Sequence, residues 1–385
     1  MAFRTVVGIS KLWSDGPGWL GLLYTELSSV FPNDALAHAI STAHRSFATR
    51  TADLALAARL DRSKTPEAGD LCLATVTKVG HHKHIELVSG RRAPLAVGDT
   101  LLLVYGNRYA TDQFEAVVPQ ASGPCHLAAA GGIAAQVLSR HTATRAPTDI
   151  VPVGILCDSN GVALNLRRWA WPGVASSTSK GVRQHLVLVV GSGMNAGKTT
   201  ACANLVRTLK SCGLRTAALK LTGTGSGGDL WRYLDAGAFQ AMDFGNVGLA
   251  STAGMDLREL EAAVGRLCAA VSPEADIVVG ELADGVLQRE TRHLLQSASL
   301  RERAGSVIFA AGDPLSGAAG VQLLGEWGLE VAAVSGLLCA SPLAVREFRA
   351  FMSTPVIFAE EEDPHSIAAR ILAPAQVLIA RRQAS

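Results

Sequence analysis

The sequence predicts an α/β protein: a parallel sheet in the second half, preceded by an α+β region that contains a small β-barrel-like domain. Three observations point there. Short, continuously apolar runs recur between residues 186 and 358, separated by stretches with helical spacing, as expected for strands buried on both faces of a covered parallel sheet. Between residues 66 and 170 the period shortens to β-type runs broken by Gly80, Gly90, Gly98 and Gly106, a signature of a small, strongly curved barrel or sandwich. Finally, Leu186-Val-Leu-Val-Val-Gly-Ser-Gly-Met-Asn-Ala-Gly-Lys-Thr-Thr200 joins an apolar strand to a helix through a Gly-rich turn. That is the context a phosphate-binding P-loop requires.

Taken in order, residues 1–65 read as mainly helical. A short strand is expected at Thr5 to Ile9, then helices at Trp19 to Val30, Leu36 to Phe47 and Ala52 to Leu60, with Pro32-Asn33-Asp34 as a stop-and-cap signal. The barrel-like segment, 66–170, carries strand candidates at Leu71 to Val79, Ile85 to Leu87, Thr100 to Tyr105 and Phe114 to Val118, a helix at Gly132 to Arg140, and two strands, Val151 to Cys157 and Val162 to Leu166, joined at Asp158-Ser-Asn-Gly161. Residues 171–185, rich in Ser, Thr and Gly, form a linker. The P-loop NTPase segment, 186–385, alternates helices with strands at Leu186 to Val190, Thr216 to Leu221, Ile277 to Val279, Val307 to Ala311, Val331 to Val334 and Val356 to Phe358.

Composition excludes some roles. The 385 residues are 48% hydrophobic and 18% charged, enough for sizeable cores. Apolar runs fall well short of the ~20 residues that span a bilayer. A net charge of +2 and 5% aromatics argue against nucleic acid as a partner. Seven dispersed cysteines with no C-x-x-C fit reduced thiols and a cytoplasmic setting.

The chemistry concentrates in the second half. Loop residues Gly193, Met194, Asn195, Ala196, Gly197, Lys198, Thr199 and Thr200 would cradle phosphates. The amides of the loop and helix N-terminus offer positive partial charge, Lys198 reaches the β/γ-phosphates, and the Thr199 hydroxyl ligates Mg²⁺. Ser192 stands where the strict G-x-x-x-x-G-K-[ST] pattern has Gly, so the loop is one residue longer. Lys220 ends the second strand, where ligands bind in open α/β sheets. Asp229 opens the next helix, either as its N-cap or as a Mg²⁺ ligand. Asp276-Ile-Val-Val-Gly-Glu281-Leu-Ala-Asp284-Gly285 is a buried strand ending in carboxylates, with Glu281 the better candidate for Mg²⁺ and Asp284 the reserve. In the first half, His82 and His84 of His81-His82-Lys83-His84 could share a strand face and bind metal, or form a solvated strand end. Tyr105-Gly-Asn-Arg-Tyr109 with Asp112-Gln-Phe-Glu115 could be a specificity loop or an ordinary polar loop.

On these residues, 185–385 resembles the dethiobiotin synthetase family. Gly191 to Thr199 has the length and register of that family's G-T-D-T-x-x-G-K-T loop, Gly213 to Lys220 matches its second strand, and Asp276 to Gly285 matches its D-x-V-x-V-E-G-A-G-G segment. Ala310 to Asp313 and Gly328 to Val334 follow its later strands. The resemblance implies Lys198 and Lys220 on phosphate and substrate, and Thr199, Asp229 and Glu281 on Mg²⁺. It further implies a homodimer that uses ATP to turn a small carboxylate into an acyl-type phosphate, which an amine then attacks. Gly193 replaces the family's loop Asp, and its base-recognising Asn-Asp pair is missing near Val334 to Ser341, which leaves GTP possible beside ATP. Gly227 to Gly237 is also similar to the nucleotide-binding accessory proteins of molybdopterin-guanine-dinucleotide synthesis. That likeness implies an NTP-binding switch as the alternative function.

Overall fold

The computed structural model describes residues 33–171 and 185–372. The strand expected at Thr5 to Ile9, the helix at Trp19 to Val30 and nearly all of the linker lie outside the described residues.

In the first half, five strands pair in a closed circuit: β1 (Leu71–Lys78), β2 (Thr100–Tyr105), β3 (Cys125–Ala129), β4 (Ile133–Arg140) and β5 (Thr148–Cys157). The pairing runs β2-β1-β5-β3-β4, and β4 returns to β2 through Ile133 opposite Val104 and Ala134 opposite Tyr105. Alternation explains how these runs can be apolar throughout. Leu71 and Leu73, with Leu102 and Val104, enter one hydrophobic cluster, while Cys72, Ala74 and Val76, with Leu101, Leu103 and Tyr105, enter another. Successive residues of a strand face opposite sides, so a strand covered on both sides needs no polar face. The covering residues include Leu36 of helix α1 (Asn33–Thr42) and Ala48 on one side, and Ile85 on the other.

In the second half, six parallel strands form one sheet. In chain order they are β6 (His185–Gly191), β7 (Thr216–Lys220), β8 (Gln240–Asp243), β9 (Ile277–Glu281), β10 (Ala304–Ala310) and β11 (Val331–Ser335). In space the order is β8-β7-β9-β6-β10-β11. Leu186, Leu188 and Val190 face one layer, which holds helices α4 (Leu257–Ala269), α6 (Pro314–Glu326) and α7 (Pro342–Phe351). Val187 and Val189 face the other layer, which holds α2 (Lys198–Ser211), α3 (Gly228–Asp235) and the helix over 364–372. A fifth helix in sequence, α5 (Arg289–Gln296), packs Leu294 and Leu295 into the first of these layers. Because β9 lies between β7 and β6, the carboxyl tips of all three meet at one edge; Glu281 pairs in register with both Val189 and Lys220.

The two sheets share a seam that is partly polar and buried. Glu86, 5% exposed, accepts hydrogen bonds from the Ser226 hydroxyl (3.0 Å), the Gly227 amide (3.0 Å) and the Trp231 indole (3.2 Å). Arg50 pairs with buried Asp243, and Phe47 meets Trp231 edge to face, its ring sitting inside the second half's core. At Gly131 the two backbones nearly touch: a Cβ there would lie 1.9 Å from the Gly225 carbonyl oxygen.

Several expectations are corrected. The helix expected at Leu36 to Phe47 stops at Thr42, and His44–Arg45 pairs with β2. Ala52 to Leu60 is not a helix. Asp53 caps a three-residue 3₁₀ turn at Leu54–Leu56, and Arg59–Asp61 pairs with β5, so long-range strand pairing overrides the helix propensity of alanine and leucine. Gly132 to Arg140 is the strand β4, held between β3 and Phe114–Val117; short apolar runs do not separate helix from strand by periodicity alone. Val162 to Leu166 makes only isolated bridges, as does Val356, while β8 was not anticipated.

Removing the Glu86 carboxylate leaves three donors of the seam without their acceptor. Glu86→Ala should lower stability by roughly 2–3 kcal/mol, the scale for stranded buried donors, read from urea unfolding. Trp231→Phe, which keeps the ring packing and removes one donor, should cost less.

Candidate functional site

The loop between β6 and α2 adopts the geometry its glycines allow. Gly197, the residue before α2, has φ +96°, a left-handed conformation that favours glycine. A Cβ there would also come within 2.9 Å of Gly336. Asn195 too is left-handed, at φ +62°. Alternation of this kind turns successive amides toward one side, the basis of an anion nest, and the first amides of α2 have no partner within the helix. Lys198 folds over this concavity, only 6% exposed, and its Nζ donates to the Gly193 carbonyl at 2.7 Å.

Beside the loop, three elements deliver oxygen ligands to one point. The Thr199 hydroxyl lies 3.0 Å from Asp229 Oδ1 and 3.2 Å from Glu281 Oε1. Asp229 sits in the first turn of α3, whose N-cap is Gly227, so of the two roles open to it the N-cap does not hold, and its carboxylate faces Thr199. Glu281, at the tip of β9, is 2% exposed. Lys220, at the tip of β7, pairs with Asp229 and lies 3.6 Å from Glu281. Tyr233, one helical turn after Asp229 on α3, donates its hydroxyl to the other Glu281 oxygen. Tyr233 was not singled out from sequence, although its i+4 spacing from Asp229 places it on the same helix face.

Charge explains the arrangement. Burial works against a charged Lys220, but Glu281 and Asp229 outweigh it and hold the ammonium above its ordinary range. Burial would raise Asp229, yet Lys220 and the Thr199 hydroxyl bring it below the usual carboxylate range. Lys198 is pulled down, mainly by burial, with Glu281 opposing. Asp284, just past β9 in a left-handed conformation at φ +60°, is pushed up to about 6 by burial against the pull of Lys198, Lys220 and Arg108.

The donor set suits Mg²⁺: a hydroxyl and two carboxylates are hard oxygen ligands, and they converge. Among the described residues no three His, Cys, Asp or Glu side chains group to hold a metal. A cation here would therefore take its remaining ligands from phosphate oxygens and water rather than from a closed protein cage. The histidine cluster is not such a site. His82 is buried, its Nε2 lies 3.0 Å from the Ala128 carbonyl oxygen, and burial pushes it down to about 4. His81 and His82 both pack edge-on against Phe114.

The site opens into a cavity of about 650 Å³ whose walls come from both halves. The second half contributes the loop between β6 and α2, Lys220, Asp229, Glu281 and Asp284; the first contributes Lys83, Arg92, Arg108, Tyr109 and Gln113. The polar stretch after Tyr105 thus divides in role. Tyr105 is fully buried in the core, Asn107 donates to the Ala253 carbonyl at 3.0 Å, and Arg108 and Tyr109 face the cavity. Asp112 accepts from Asn195 of the β6–α2 loop at 2.7 Å.

No family profile matches this chain, and no curated protein sequence does. Solved structures of the signal recognition particle receptor FtsY align with part of it. The receptor from Elizabethkingia anophelis in complex with GDP is 18% identical over 43% of this chain and 52% of its own, with a TM-score of 0.30. That from Mycoplasma mycoides is 16% identical over 46% of this chain and 60% of its own, also at 0.30. The chain thus spans little more than half of either structure. The likeness to dethiobiotin synthetases rests on sequence motifs alone.

Asp284 supplies a pH test. Its folded value near 6 exceeds the ~3.9 of an unfolded aspartate, so the folded state binds the extra proton and stability falls as pH rises from about 4 through 6. Asp284→Asn, which tolerates the left-handed backbone, should melt at a higher temperature than the parent protein at pH 8. The gain, on the order of 2–3 kcal/mol, should largely vanish by pH 4.

Proposed function

We propose that this protein binds a magnesium nucleoside triphosphate, with ATP preferred and GTP possible, and transfers its γ-phosphoryl group to a small carboxylate. An amine then attacks the acyl carbon of the resulting acyl phosphate, the bond from that carbon to the phosphate oxygen breaks, and an amide forms as inorganic phosphate leaves with the amine's proton passing to solvent. The observation that carries this reading is the convergence of Thr199, Asp229 and Glu281 beside a left-handed phosphate loop, with Lys198 and Lys220 flanking them.

In this reading the amides of the loop and of the first turn of α2 hold the β- and γ-phosphates, with Lys198 moving from the Gly193 carbonyl onto their oxygens. Thr199, Asp229 and Glu281 would hold Mg²⁺, which supplies positive charge to the phosphates when bound. Tyr233 fixes the rotamer of Glu281. Lys220, kept charged by its two carboxylates, faces the cavity and attracts the acceptor. The bond from the γ-phosphorus to the bridging oxygen breaks and one to the acceptor carboxylate oxygen forms. A carboxylate nucleophile brings no proton, so no general base is needed for that step. Catalysis is then positioning and charge neutralisation.

A second reading, an NTP-binding switch acting on a protein partner, is favoured by one contact. Asn195 of the phosphate loop is held by Asp112 of the first half, which gives nucleotide a direct route to the other sheet. No helix among the described residues is long and apolar enough to cross a membrane.

Calorimetry of ATP and of GTP, each with Mg²⁺, should show binding that Lys198→Ala weakens about 10- to 100-fold, the scale of a charge-assisted hydrogen bond. Glu281→Ala should abolish the magnesium dependence of that binding. Triphosphate affinity unchanged by Lys198→Ala would sink the site assignment. Release of nucleoside diphosphate that requires both an acid and an amine would separate the enzyme from the switch.

A further inference from the structure

The cavity holds more positive charge than a nucleotide site uses. In the proposed reading Lys198 serves the triphosphate, and Lys220, paired with Asp229 and Glu281, serves the carboxylate that reacts. Three exposed cations remain on the lip, Lys83 and Arg92 from the first half and Arg232 from α3, and none of them has an ion-pair partner among the described residues. Deeper in the wall lies Arg108. Its Nη2 donates to Gln113 Oε1 at 2.7 Å, but its Nε is shut off from water with no hydrogen-bond partner. Burial brings its guanidinium down to about 10, partly offset by Asp112 and Asp284, neither of which comes within ion-pair distance. An under-satisfied guanidinium is costly to bury, and a fork of donors matches an oxyanion.

We infer that the acceptor carries a second oxyanion, remote from the carboxylate that reacts, and that Arg108 seats it while Lys83, Arg92 and Arg232 draw it into the cavity. The first half is then the substrate-selecting half. The acceptor is a small dianion, a dicarboxylate or a carboxylate bearing a phosphate-like group, rather than a simple fatty acid or a neutral amino acid. This rests on the phosphoryl-transfer reading for which end reacts, but binding of the remote oxyanion is separable from it.

The test uses the full chain loaded with Mg²⁺ and a non-hydrolysable ATP analogue, titrated calorimetrically with succinate, 3-phosphonopropionate and butyrate. The two dianions should bind at least about 10-fold tighter than butyrate, the scale of one charge-assisted hydrogen bond lost. A preference between them distinguishes a carboxylate from a phosphate-like remote group. Arg108→Gln should erase the dianion advantage, Arg108→Lys should restore part of it, and neither should alter analogue affinity. Arg92→Gln, on the exposed lip, should weaken dianions more at low salt than at high salt. Equal binding of butyrate and the dianions, no saturable dianion binding, or a loss in Arg108→Gln that falls equally on the nucleotide analogue would each overturn the inference. A separate assay with ATP and hydroxylamine as the amine traps acyl phosphate as hydroxamate. Dianion binding without hydroxamate would leave the oxyanion seat standing and defeat the carboxylate-activation reading.

Discussion

Two carboxylates, Asp229 and Glu281, share the Thr199 hydroxyl, and the Lys220 ammonium sits against both. Its positive charge offsets the mutual repulsion of two carboxylates held in a buried place, and against the effect of burial it holds Asp229 below the usual carboxylate range. Much of the second half can be understood as the frame for that contact. The strand order puts β7 and β9 side by side, so Lys220 and Glu281 emerge in register. The turn into α3 brings Asp229 across from them, and Tyr233, one turn later, occupies the last oxygen of Glu281. The hydrophobic layers above and below the sheet keep water away. This makes the ammonium indispensable, and any bound cation would draw on the same oxygens.

The first half completes the site rather than merely covering it. Its loops close the cavity, its Asp112 steadies a left-handed residue of the phosphate loop, and its Glu86 secures the start of α3, from which Asp229 projects. Position and charge at this end of the site are therefore set in part by residues 83 and 141 positions upstream. If the proposed phosphoryl transfer holds, a 1 Å displacement can cost about 10²-fold in rate, so the seam would bear on chemistry as well as on stability.

What was legible in the sequence follows the range of the interactions. The strand, the phosphate loop and the opening of α2 form one local unit, and the glycines, the Lys-Thr pair and the apolar run announce it together. Lys220 and Glu281 were legible because a polar residue ending an apolar strand has few places to go. Ala52 to Leu60 and Gly132 to Arg140 were misread because their alanines and leucines suit a helix, whereas β5, far along the chain, recruits Arg59–Asp61, and β3, just before β4 in sequence, pairs with that strand together with Phe114–Val117. Arg108 stood in a stretch marked as polar, but nothing local distinguishes a cavity-facing arginine from one in solvent. Its environment is assembled from Gln113, Asp112 and a loop of the other half.

Phe47 completes the core of the second half, and Arg50 meets Asp243, 193 positions later. On a ribosome this has a consequence for timing. The ring of strands from β1 to β5 emerges early and can pair within itself, but an aromatic ring, a guanidinium and the Glu86 carboxylate must wait, exposed or loosely placed, until α3 and β8 have been synthesised. The early part of the chain therefore waits for its later part, and a pause in translation between the two halves would lengthen the interval in which that unfinished surface is open to chaperones and proteases.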